Sequence, residues 1–131
     1  MAFLLHKVDG GFVPPYEYMP AGAITPKVGL ALTVTNGNLA VCGATTKPSY
    51  IAMCERSEAC TAGEIIPVMR VSDDIIFAVP AQAAMTSVKI GDKVTLHTDG
   101  MQVTATTTSG VATVVGSEGT AVGDMQYVRF E

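Results

Sequence analysis

The sequence predicts an all-β chain, a compact antiparallel β-barrel or sandwich with an extended proline-containing N-terminal arm and at most one short helix. Three observations carry this. Between residues 88 and 130 tight-turn dipeptides recur, Gly91-Asp92, Asp99-Gly100, Ser109-Gly110 and Gly123-Asp124, each beside runs of Val, Thr, Ala and Met. That is hairpin chemistry. Thr95, Thr98, Thr104, Thr106, Thr107, Thr108 and Thr113 crowd the same stretch, and a β-branched side chain that loses χ1 freedom in a helix fits a pleated surface better. Finally, the one helical candidate is residues 81–87, where Pro80 suits the first helical position, and seven residues make at most two turns.

The elements follow in chain order. Residues 1–27 hold Gly10-Gly11, Pro14-Pro15, Pro20 and Pro26 with Phe3, Phe12, Tyr16 and Tyr18 interleaved. Prolines at that density oppose a continuous helix or a central strand. The segment therefore reads as an arm that lies over its own core or on a neighbouring chain. Its apolar side chains, Phe3, Leu4, Phe12, Tyr16 and Tyr18, are the candidate partner-binding residues. A single barrel domain is expected over residues 28–131.

Leu30, Leu32 and Val34 alternate with Ala31, Thr33 and Thr35. Asn36-Gly37 then supplies the two residues that most readily take positive φ in a type I′ turn, and residues 39–42 return. A polar break at 43–48 leads into residues 50–54, and 55–63 reads as a solvated loop. Residues 65–71 and 75–79 are short and β-branched, and Ser72-Asp73-Asp74 between them suggests a second hairpin. Pro67 places its strand at an edge or a bulge. Eight or nine strands after the arm suit a closed or nearly closed barrel.

Composition excludes several function classes. A chain of 131 residues is long enough to bury a real core. Only 15% of its residues are charged and none is Trp, against about a quarter charged in an ordinary soluble domain. A surface with so little charge favours burial against partner chains, so a homo-oligomer is expected. The net charge is −4 and the eight Lys and Arg residues are scattered singly, whereas phosphate backbones are bound by clustered cations. Nucleic acid is thus not an expected partner. No run approaches the roughly 18 apolar residues that span a bilayer, and residues 1–5 are too short for a signal peptide. No membrane partner and no export by the standard route are expected.

Chemistry-bearing residues are few. His6 and His97 lack metal-ligand spacing to any other His, Cys or carboxylate, and Cys42, Cys54 and Cys60 lack the close CxxC spacing of zinc sites or redox pairs. They read as small buried hydrophobes. Asp92, Asp99 and Asp124 stand in turns, where an aspartate commonly bonds its own local backbone. The glycine loops match no phosphate-cradling motif. No catalytic residue, metal or cofactor is expected, and an enzyme ranks last among the function classes.

Three segments carry a family resemblance: Gly91-Asp92-Lys93-Val94 before a strand, Ser109-Gly110-Val111-Ala112 in the following turn and strand, and Gly123 to Phe130 at the end. Over roughly residues 28–131 the chain resembles the small β-barrel decoration, or cement, proteins of tailed-phage and prophage heads. The resemblance implies a structural accessory capsid protein that binds the outer surface of a phage head and stabilises it against internal DNA pressure. Its partners would be the major capsid protein and itself, as a homotrimer, and its place the virion exterior after synthesis in the host cytoplasm. The matching positions are structural, so no binding residue is carried over; Asn36, Gly37, Gly91, Asp92, Asp99, Gly100, Gly123 and Asp124 are read from their turn chemistry as structural turns. The competing class is a soluble β-barrel module for a glycan or small apolar ligand, which the lack of Trp weakens.

Overall fold

The computed structural model describes residues 2–11 and 13–131, and among these it forms ten strands and no helix. Five strands close a small barrel in the order β2 (Tyr16–Ala21), β4 (Asn38–Val41), β3 (Ala31–Thr35), β5 (Tyr50–Ala52), β6 (Glu64–Arg70). The other five form a sheet in the order β1 (Leu4–Val8), β7 (Ile75–Pro80), β10 (Met125–Arg129), β9 (Ala112–Ser117), β8 (Lys93–Val94).

Local chemistry explains the barrel's best-defined hairpin. Asn36 and Gly37 take φ of 52° and 81°, the left-handed pair that lets β3 and β4 keep their twist across a two-residue turn. Thr35 then faces Asn38, and the register runs without a slip to Leu32 opposite Val41. Side chains alternate across each strand, so adjacent residues serve two different cores. Leu32, Leu39, Ala52, Ile66 and Val68, each at most 1% exposed, fill the barrel lumen. Their neighbours Ala31, Cys42, Ile51 and Met69 point out of the barrel and are nevertheless buried, because the five-stranded sheet packs against that wall.

The sheet's inner face supplies Phe77, Val79, Val114 and Val128 to this second core. Phe3, Phe77 and Phe130 meet there with ring centroids 5.4 to 6.5 Å apart, within the range where aromatic pairs add to area burial. One core thus lies inside the barrel and one between barrel and sheet, and together they make the molecule compact.

Three expectations are corrected. Residues 1–27 are not an arm on a separate domain of residues 28–131. Leu4–Val8 pairs antiparallel with β7 along the sheet edge, and Tyr16–Ala21 pairs with β6 over six residues, so the barrel closes only through this segment. The prolines permit it because Pro14 and Pro15 fall in the connection, and Pro20 lies at the end of β2. Residues 81–87 form no helix. The backbone N–H groups of Ala81, Gln82 and Met85 bond to Asp124, Val103 and Thr120, and Met85 is drawn into the core, so tertiary partners replace the local ladder. Lastly, β6 and β7 are not a hairpin: the turn at Ser72 to Asp74, held by a Ser72 to Asp74 side-chain bond, carries the chain from the barrel to the sheet.

Pro67 lies in β6 between two partners, but its ring nitrogen faces the side where β5 has just ended. Its carbonyl accepts the Met53 N–H at 3.1 Å, one residue beyond that strand. The missing donor therefore costs no ladder bond within β5.

Candidate partner-binding surfaces

The predicted turn residues are committed to holding the backbone. Gly91 and Gly123 take φ of 96° and 89° in two turns of the same design. The Asp92 carboxylate accepts the Lys89 N–H at 3.0 Å, and the Asp124 carboxylate accepts the Ala121 N–H at 3.0 Å. Asp99 accepts from the Met101 N–H at 2.9 Å and from the Gln102 amide at 2.8 Å. Between them Gly100 abuts β3, its carbonyl accepting the Ala31 N–H at 2.9 Å. Local acceptors of this kind rigidify turns. Among the described residues no three His, Cys, Asp or Glu side chains gather where a metal ion would be held. The barrel lumen is filled by buried, mostly aliphatic side chains.

The five predicted contact residues do not converge. Phe3 is 1% exposed at the centre of the aromatic cluster and is a core residue, since its flanking strand lies along β7 and turns the ring inward. Phe12 lies outside the described residues. Leu4 is exposed on the sheet edge, whereas Tyr16 and Tyr18 stand exposed on the barrel wall. Two apolar strips result.

On the sheet, Leu4, Ala2, Pro80, Val122 and Met125 line an open groove of about 460 Å³. Beside it the His6 and Tyr127 rings stack at 4.2 Å. Burial pushes the Tyr127 phenol up, and the neighbouring Glu118 carboxylate adds to the shift.

On the barrel, Tyr18 lies opposite Pro67, and Pro20 lies opposite Ile65. Tyr16, Tyr18 and Ile65 are all at least half exposed. The one charged residue of β2, Glu17, forms a forked pair with Arg70 at 2.8 and 3.0 Å. The hydrogen bond from Arg70 holds the Glu17 carboxyl below the usual carboxylate range, and the strip carries no unpaired charge.

Sequence reasoning missed Ile65 and Val122. Ile65 joins the tyrosines only through the β2 to β6 register, which is not local information. Val122 had a signal: Ile90-Gly91-Asp92 and Val122-Gly123-Asp124 repeat one turn design with an apolar residue ahead of the glycine, and both apolar residues are about two-thirds exposed.

No protein-family model matches the chain, and no curated protein matches it in sequence. Among solved structures it is similar to the N base of the head fiber gp8.5 in bacteriophage phi29, with a TM-score of 0.60 at 17% identity. The likeness covers 91% of this chain and 95% of the other. Over nine-tenths of its length the chain therefore shares the fold of that structure.

Proposed function

We propose that this chain is a structural protein of a phage head, attached to the outer surface of the shell through the major capsid protein. The observation that carries the reading is the fold likeness to a head fiber base over nearly the full length of both chains. Attachment is then its primary role, and reinforcement of the shell follows where one molecule bridges neighbouring subunits. The two apolar strips support the reading, since a rigid body with two exposed faces can hold the shell with one and other copies with the other. A homotrimer fits this division, because three modest contacts act together through effective concentration. The filled lumen gives no support to a small-ligand module.

Co-sedimentation with isolated heads of the phage that encodes the chain tests the proposal. Saturable recovery of the protein with the heads is expected, together with a higher temperature of DNA release from decorated heads. Protein that stays in the supernatant at micromolar concentration would refute attachment. Binding without any change in head stability would refute reinforcement alone.

A further inference from the structure

The ladder beside β6 fixes which way the backbone of β2 points. In an antiparallel strand the N–H and C=O of one residue lie on the same side, and successive residues alternate. The Met53 N–H bonds the Pro67 carbonyl at 3.1 Å, and the Val71 N–H bonds the Ser49 carbonyl at 3.0 Å. Residues 67, 69 and 71 therefore face β5, while 64, 66 and 68 face β2. The register sets Val68 opposite Glu17, and Ile66 opposite Met19. Glu17 and Met19 take those bonds, and Tyr16, Tyr18 and Pro20 point their backbone groups away from β6. The Gly22 N–H continues the parity, reaching the Leu39 carbonyl of β4 at 2.9 Å.

On that far side β2 meets β4 at one pair only, Ala21 with Leu39. Among the described residues no hydrogen bond uses the N–H of Tyr16 or Tyr18. Open edges of this kind are usually blunted, and the sheet's own are: β1 is interrupted by a bulge between Leu5 and Lys7 and carries that lysine, and β8 has two residues. The edge of β2 is straight over six residues, without a bulge, and its one charge is neutralised by Arg70.

We infer that the open edge of β2 receives one extended, uncharged segment of the shell protein, which adds as a strand at Tyr16 and Tyr18. Two donors and two carbonyls, at residues 16 and 18, match the two-residue repeat of an extended chain. Both tyrosine rings then flank the incoming strand. A charged segment would meet no counter-charge there. The inference rests on the attachment proposed above and names its main-chain contact.

Hydrogen exchange read by mass spectrometry on the full chain, free and bound to heads, tests it. Residues 14–20 contain three prolines and therefore four backbone amides. Two of them, Glu17 and Met19, are bonded to β6, and two are open. In the free protein two amides should exchange slowly. On heads all four should, with Tyr16 and Tyr18 gaining tenfold protection or more. Tyr18→Pro removes one donor at a position where an edge tolerates proline and should weaken head binding at least tenfold, whereas Tyr18→Val, which keeps the N–H, should weaken it less.

Head binding that leaves Tyr16 and Tyr18 unprotected would overturn the inference and leave attachment standing. Absence of head binding would remove both. Protection that appears in free protein as its concentration rises would assign the edge to a second copy and overturn the inference as well. The exchange measurement decides even if Tyr18→Pro does not fold.

Discussion

Gly37 and Gly100 look alike in sequence, each following Asn or Asp in a tight turn, yet their surroundings differ. A Cβ on Gly37 meets nothing within 4 Å, whereas one on Gly100 falls 3.0 Å from side-chain carbons of both Leu30 and Val41. Both have positive φ, so Gly37→Val should cost about 1–3 kcal/mol in backbone strain alone. Gly100→Val adds overpacking of about 1–3 kcal/mol more. Denaturant melts should rank them in that order, and equal losses would show that the Gly100 turn does not press on the barrel. The turn at each glycine was legible in the sequence because φ preference is local. The neighbour that makes one costlier was not.

Cys42 gives a second test at this scale. Burial pushes its thiol up to about 11 from an ordinary 9.0, and its Sγ donates to the Thr46 carbonyl at 2.9 Å. A thiol that ionises more readily in the unfolded chain leaves stability intact below pH 9 and erodes it as pH rises towards 11. Cys42→Ala should remove up to about 2 kcal/mol of that alkaline loss. Urea melts of both proteins at pH 8 and pH 10.5 check the difference.

Among the elements, the first two strands reverse an expectation. Proline and exposed aromatics made residues 1–27 read as an arm, and deletion of an arm would leave a folded barrel. With β2 completing the barrel and Phe3 inside the second core, removal of residues 1–20 should abolish cooperative unfolding and the dispersed amide spectrum of a β-protein. Phe3→Ala alone should cost about 3–5 kcal/mol, as buried aromatics do. A truncated protein that melts cooperatively would restore the arm. The alternation of Leu30 to Val34 and the Asn36-Gly37 turn were readable because a hairpin is its own context. The break at Ser72 to Asp74 was readable as a turn, but no short-range signal says that β6 and β7 belong to different sheets. Residues 81–87 failed for the same reason, since distant carbonyls satisfy their backbone.

At the scale of the whole molecule, the low charge content found its counterpart in two exposed apolar strips. The division of labour between them is testable. If the sheet groove at Leu4, Val122 and Met125 joins copies, Leu4→Asp should shift the sedimenting mass from a trimer towards one chain and leave the far-ultraviolet spectrum unchanged. An unaltered mass would free that groove for another partner. The overall class was legible because turn chemistry and β-branching repeat along the chain. The strips were not, because they depend on which strand lies beside which. The contact of Phe3 with Phe130 also has a consequence for synthesis. Phe3, just before β1, and Phe130, just after β10, share a single cluster, so the core between barrel and sheet cannot close until both have left the ribosome. Non-local pairing of this kind slows folding, and until β10 is made the nascent chain shows Phe3 and the β10 side of β7 to its surroundings, which makes that interval its period of greatest exposure to aggregation.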